Sequence, residues 1–170
     1  MTEGGARGPA GSRRETAAPP RRPSSSASQA DTLFAYGTLQ FGPVLAELLG
    51  RVPDAELGVV RDRRVAALPK RAYPGLVAEP GRMASGLVLQ GLTEADWEII
   101  DAFEDEQYEL RTVRVIGREE PVPTYVWTDV VSGHDWHPEQ FAADHLHAYA
   151  TLCARWRAEF CRRAREDFTG

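Results

Sequence analysis

Apolar positions are sparse before residue 32 and come in short, regularly spaced runs after it. Residues 32–36, Thr-Leu-Phe-Ala-Tyr, read as a strand that stops at Gly37, and residues 44–49 as an amphipathic helical turn or two closed by Gly50. From residue 55 the pattern predicts strands at 56–60, 64–67 and 84–89, with Gly86 permitting close backbone approach or a bulge. Between them, Pro74-Gly75 reads as a turn. Val113 and Val115 alternate with Thr112 and Arg114, so 108–116 reads as a strand, paired with 123–127 as a hairpin across 117–121. Pro138 opens a long helix in which Phe141, His145, Tyr149, Leu152, Cys153, Trp156 and Phe160 recur at helical spacing. That helix is expected to pack on the outside of the strands, with Tyr149 and Trp156 as core residues. Many short strands, two brief inserted helices and one long final helix predict an α+β domain built as a small mixed β-barrel.

The most informative stretch is a second short helix at 93–104. Thr93 followed three residues later by Asp96 is a capping signature. At about 100° per residue, Ile99, Phe103 and Ile100 form one apolar arc that closes at Trp97. Glu104 falls inside this arc and Asp101 at its edge. A carboxylate on an apolar helix face is costly to bury, and at the negative end of the helix dipole its ionised form is disfavoured further, which raises its basicity. Such a group suits general-base chemistry. The same pattern is satisfied if the helix ends one residue earlier and Glu104 turns to water, and periodicity alone leaves both readings open.

Composition divides the chain. Residues 1–30 are rich in Gly, Ala, Arg, Pro and Ser and carry no large apolar residue after Met1, so they are expected to form a disordered tail ahead of a domain at 31–170. The tail's five arginines and two glutamates give it +3, so the chain's −5 leaves −8 for the rest. A domain that acidic is a poor match for nucleic acid. No apolar run reaches membrane-spanning length, no apolar segment follows Arg13-Arg14 or Arg21-Arg22, and two cysteines provide no disulfide framework, so a soluble cytoplasmic protein without a membrane partner is expected. The oligomeric state stays open.

Candidate chemistry narrows from there. The strand, glycine turn and helix start around Gly37 can point backbone N–H groups at a carboxylate or a developing oxyanion, although neither phosphate-loop nor dinucleotide-binding glycine spacing is present. His134, His137, His145 and His147 cluster without cysteine partners or the His-Glu-x-x-His spacing, which weighs against a metal site. No Gly-x-Ser-x-Gly elbow occurs, and Cys153 and Cys161 both fall inside the final helix.

Leu33-Phe-Ala-Tyr36-Gly37-Thr38-Leu39, Tyr73-Pro74-Gly75-Leu76, and Asp101-x-x-Glu104 followed four residues on by Tyr108 together resemble the gamma-glutamylcyclotransferase-like family. The closer resemblance is to its branch of gamma-glutamylamine cyclotransferases and plant avirulence-induced proteins, over about residues 32–160. The resemblance implies a small barrel with a cavity, no metal or cofactor, and a small gamma-glutamyl substrate whose own α-amine attacks the γ-carbonyl to give 5-oxoproline and a free amine. Carried over, Glu104 is the catalytic base, Tyr36, Gly37, Thr38 and Leu39 hold the glutamyl end, and Pro74, Gly75 and Tyr108 complete the substrate contacts. Asp105 stands where the family commonly has glycine, and Leu110 where it commonly has arginine. A member that binds small molecules in a stress response, or one that transfers an acyl group to another acceptor with the same base, remains an alternative.

Overall fold

A computed structural model describes residues 31–169; the expected tail at 1–30 lies outside them. Strand β1 (Leu33–Ala35) is followed by a 3-10 turn at Thr38–Gln40 and helix α1 (Gly42–Leu49), then by β2 (Ala55–Ala67) and β3 (Pro74–Leu89). Helix α2 (Glu94–Phe103) leads into the hairpin β4 (Tyr108–Val113) and β5 (Val122–Trp127), and α3 (Pro138–Asp144) into the 24-residue α4 (Leu146–Thr169). The strands form two antiparallel sheets, one ordered β1-β3-β2 and the other β4-β5. A bridge between Val60 and Val115 joins them, and Thr124 donates its hydroxyl hydrogen to the Phe34 carbonyl at 2.8 Å. The outcome is the expected α+β architecture with inserted helices and a long final helix.

The strands are fewer and longer than the apolar pattern suggests. The predicted strands at 56–60 and 64–67 are one strand, bent where the register shifts between Arg61 and Arg63, with Asp62 at φ 57°. Asp62 accepts the Gly81 N–H at 2.8 Å, fastening the bend to β3, which likewise runs unbroken from Pro74 to Leu89. Pro74-Gly75 is therefore not a turn; it starts β3, opposite Ala67 and Ala66. A proline can take the first position of a strand because its missing donor is not needed there. Gly75 is needed because a Cβ there would stand 2.5 Å from the Trp127 Cβ. The hairpin forms, with Tyr108 opposite Trp127 and Val113 opposite Val122, but its first strand stops at Val113 rather than 116, and Val115 bridges to Val60 instead.

Two buried clusters hold the elements together. One lies between the sheets, around Phe34, Tyr36, Val60, Leu76, Val88 and Val113. The larger gathers Leu45 and Leu48 of α1, Trp97 and Ile100 of α2 and Cys153 of α4. Gly50 closes α1 in the left-handed region at φ 72°. Arg157 of α4 donates from Nε to the Leu48 carbonyl at 2.9 Å, a basic group satisfying an orphan acceptor at the end of α1. The predicted long final helix is interrupted at His145, whose φ of −131° and ψ of −22° separate α3 from α4. Cys153 and Cys161 are both free, and burial pushes the Cys153 thiol up to about 12, leaving it inert. Among the described residues, no helix is long and apolar enough to cross a membrane.

The N-terminus of α2 is as the sequence predicts. Thr93 accepts the Asp96 N–H at 3.1 Å, and Asp96 accepts the Thr93 N–H at 2.9 Å. Asp96, only 5% exposed, also pairs with Arg51, which donates to the Gly91 carbonyl at 2.9 Å. One carboxylate thus caps a helix and ties it to the end of α1. Asp96→Ala is expected to cost about 2 kcal/mol, from the lost cap and the stranded donors, with Asp96→Asn costing roughly half because it can still accept from Thr93. Urea denaturation measures both; a cost below about 0.5 kcal/mol for the alanine variant would show that the cap does not hold the helix.

Candidate active site

β1 runs into the first wall of a cavity of about 300 Å³, near the lower end of the usual range for small-molecule sites. Tyr36, at the end of β1, donates its hydroxyl hydrogen to the Tyr125 carbonyl at 2.5 Å and accepts the Leu76 N–H, so it is fixed to both sheets. At Gly37 a Cβ would stand 2.9 Å from the Pro74 Cγ; glycine allows the loop to lie against the start of β3. The 3-10 turn that follows has its first internal bond at Gln40, whose N–H donates to the Gly37 carbonyl at 3.2 Å. The amides of Thr38 and Leu39 come before that bond and have no partner within the turn. Gln40 Nε2 reaches back to the Tyr36 carbonyl at 2.5 Å and holds the loop closed.

Glu104 enters from the end of α2. The helix stops at Phe103; Glu104 is its C-cap, with extended backbone at φ −66° and ψ 144°, and its N–H still donates to the Ile100 carbonyl at 3.0 Å. Ending one residue early does not turn Glu104 out to bulk water, because it lines the cavity and is only partly accessible. Its carboxyl is pushed up to about 8, first by burial and then by the Asp101 and Asp105 carboxylates on either side. Tyr36, Tyr108 and Tyr149 share the cavity wall and are raised by burial first and by Glu104 among the charges nearby, so all three stay protonated near neutral pH.

The second wall comes from the start of β3 and the hairpin. Tyr108 donates its hydroxyl hydrogen to the Pro74 carbonyl at 2.5 Å, and its ring meets Trp127 edge-on at 5.1 Å between centroids. Asp105 at the rim accepts from the Tyr73 hydroxyl at 2.7 Å and from the Gln107 N–H at 3.1 Å. Arg71 Nε donates to that same hydroxyl at 3.0 Å and lies 3.8 Å from the Asp105 carboxylate. The third wall is aromatic: Phe103 meets Tyr149 at 6.3 Å and Trp156 at 5.1 Å, both edge-on, and Leu152 lies alongside.

Seven of the eight residues expected at the site, Tyr36, Gly37, Thr38, Leu39, Pro74, Glu104 and Tyr108, line this one cavity. Gly75 does not; it packs behind Pro74 against Trp127. Tyr149 and Trp156, expected in the core, also form cavity wall, together with Tyr73, Phe103, Asp105, Tyr125 and Leu152. Their spacing along α4 is that of any packed helix face, so no sequence signal separates cavity from core.

A family model described as "Gamma-glutamyl cyclotransferase, AIG2-like" matches residues 33–142. AIG2-like protein C of Arabidopsis thaliana is 36% identical over 99 residues, 56% of this chain and 58% of that protein, so the chain spans little more than half of that relative's length. AIG2-like protein D of Arabidopsis thaliana is 26% identical over 136 residues, 75% of this chain and 90% of that protein. In three dimensions, the solution structure of an Arabidopsis thaliana protein superposes with a TM-score of 0.57 at 28% identity, covering 76% of this chain and 91% of that one. The family match spans β1, the Gly37 loop, β3 and Glu104, and on that evidence the chain belongs to the gamma-glutamyl cyclotransferase, AIG2-like family.

Proposed function

We propose that the protein is a gamma-glutamyl cyclotransferase that converts a gamma-glutamyl amide into 5-oxoproline and the free amine. The observation that carries this reading is Glu104, a carboxyl held near pKa 8 in the same cavity as a loop whose two leading amides precede the first bond of its turn. α-Amino groups ordinarily titrate at about 7.7–8.0, so proton transfer from the substrate's α-ammonium to Glu104 is close to even. The freed nitrogen attacks the substrate's γ-carbonyl carbon and closes a five-membered ring. Charge moves onto the carbonyl oxygen, where the N–H groups of Thr38 and Leu39 are the donors at hand. Glu104 then returns the proton to the leaving nitrogen as its bond to carbon breaks, and takes up the second proton that the ring nitrogen sheds on becoming an amide, which departs with the free amine as its ammonium. Neither water nor an outside acceptor is consumed. Because the nucleophile belongs to the substrate, the cavity's main task is to hold the glutamyl chain folded, and well-placed intramolecular attack supplies up to about 7–11 kcal/mol of the barrier reduction.

The test is 5-oxoproline release from a panel of gamma-glutamyl compounds that includes the ε-lysine isopeptide, a dipeptide and glutathione. Release from at least one, with the free amine in equal amount, is the expected result. No release from any of them by folded protein would instead favour a small-molecule binding role.

A further inference from the structure

A second cleft, of about 520 Å³, opens where β2 meets the hairpin, and it shares no residue with the active-site cavity. Its origin is the bend in β2. Val60 bridges to Val115, and the Val59 carbonyl accepts the Ile116 N–H at 2.9 Å, so β2 and the segment after β4 run side by side to that point. The register then shifts between Arg61 and Arg63, with Asp62 in the left-handed region, and β2 stays with β3 while the hairpin parts from it. Farther along β2, the Val65 carbonyl accepts the Trp136 N–H at 3.0 Å. Residues 61–63 and 112–114 form the sides of the gap left between, and the buried Val60, Val113 and Val115 form its floor.

Arginines from both sides line the cleft: Arg61 and Arg63 from β2, Arg114 and Arg118 from the hairpin. Asp62 is the one acidic residue lining it, and its carboxylate already accepts the Gly81 N–H. Arginines elsewhere in this acidic domain have carboxylate partners, as Arg51 has Asp96, Arg82 has Asp135 and Arg111 has Glu109. In the cleft Arg118 pairs with Glu56 at 3.2 Å, but Arg61, Arg63 and Arg114 have no ion pair or side-chain hydrogen bond among the described residues. Like charges gathered without a counter-ion repel one another, and an anion that enters relieves the repulsion. We propose that this cleft is a binding site for a small polyphosphate, either an inorganic oligophosphate or the phosphate chain of a nucleoside triphosphate. Guanidinium forks facing one another across a gap can each engage a different phosphate of one chain, and the buried valine floor strengthens the attraction by keeping water from one side. A single carboxylate would meet one fork and leave the others opposed. A long nucleic acid would have to lie along the acidic surface beyond the cleft.

Isothermal titration calorimetry of the full-length protein with inorganic triphosphate, ATP and citrate tests the site. Triphosphate and ATP are expected to bind with Kd of about 0.1 mM or tighter, and citrate at least tenfold more weakly. Equal binding of ATP and triphosphate identifies the phosphate chain as the whole ligand; ATP binding at least tenfold more tightly adds a nucleoside contact, and either result carries the proposal. The double variant Arg61→Gln/Arg114→Gln is expected to weaken triphosphate at least tenfold while melting with wild type, since both side chains are exposed and unpaired among the described residues. Arg63→Gln alone is expected to weaken it at least threefold, and Arg165→Gln, an exposed arginine outside the cleft, to leave it unchanged. The arginines of residues 1–30 are present in every variant, so a loss confined to the cleft variants belongs to the cleft. No binding of triphosphate or ATP overturns the proposal, as does triphosphate binding that the cleft variants do not weaken, citrate binding as tightly as triphosphate, or a DNA duplex held more tightly than triphosphate through the same arginines.

Discussion

Glu104→Gln is expected to lower 5-oxoproline release by at least 1,000-fold while raising stability at alkaline pH. The activity loss follows from the base role: glutamine keeps the shape of the side chain but accepts no proton, and general-base contributions run to about 10²–10⁴. In the wild-type protein kcat/KM should pass through a maximum near pH 8, rising below it as Glu104 ionises and falling above it as the substrate's α-ammonium loses the proton that Glu104 must carry to the leaving nitrogen. The stability effect follows from the same shift with the sign worked through. Unfolded, the carboxyl ionises near its ordinary value of 4.5; folded, it keeps its proton until about 8. Between those values the folded state binds more protons than the unfolded one, so stability falls as pH rises across that window and is level above it. The full shift is worth about 5 kcal/mol at 1.36 kcal/mol per unit, and water entering the cavity reduces it, so a gap of about 3 kcal/mol between variant and wild type at pH 9 is expected. Urea denaturation at pH 5 and pH 9 reads it; equal stability of the two proteins at both pH values would remove the raised pKa from the account, and retained turnover would remove the base.

Local chemistry was legible in the sequence, and long-range packing was not. The capping box at Thr93 and Asp96 and the left-handed close of α1 at Gly50 depend on residues within four positions of each other, and both stand where the pattern puts them. Pro74-Gly75 is a pair that usually makes a turn, yet the reason for Gly75 is Trp127, on a strand of the other sheet. At Asp62 the run of charged residues Arg61 to Arg64 interrupts the apolar pattern and implies a strand end, whereas the strand continues through a register shift pinned by Gly81. Glu104 shows the limit most plainly. Helical periodicity offered either a buried helical residue or a solvent-facing one, and the structure takes a third course, a C-cap outside the helix that still lines the cavity. The turn after it decides the matter: the Tyr108 N–H donates to the Asp105 carbonyl at 3.0 Å, and the Gln107 N–H to the Asp105 side chain at 3.1 Å.

The cavity is also assembled from two kinds of sequence. The Gly37 loop, Pro74, Glu104 and Tyr108 lie inside the span matched by the family. Tyr149, Leu152 and Trp156 lie outside it, on a helix whose apolar stripe says only that one face is covered.

Gly86→Ala is expected to cost about 3 kcal/mol or more and to lower the melting temperature by at least about 6 °C. Gly86 sits in β3 where β1 ends, and a Cβ there would stand 2.4 Å from the Ala35 carbonyl oxygen and 3.0 Å from the Tyr36 Cα. Both are backbone atoms, so no rotamer change relieves the clash. Nor can β1 move away freely, because Thr124 holds the Phe34 carbonyl at 2.8 Å and the Tyr36 hydroxyl is bonded to Tyr125 at 2.5 Å. The displacement must fall on residues 35–37, which line the cavity, so KM is expected to rise as well. Gly58, the register partner of Gly86, is the control. Its Cβ would meet Val88 Cγ2 at 3.0 Å and Val115 Cγ1 at 3.2 Å, side-chain atoms that can shift by tenths of an ångström, and Gly58→Ala should cost only about 1 kcal/mol. Thermal denaturation of the two variants side by side checks the argument. If Gly86→Ala melts with wild type, or if Gly58→Ala is the more damaging, the end of β1 is not held by the contact described, and the rigidity ascribed to the Gly37 loop loses its support.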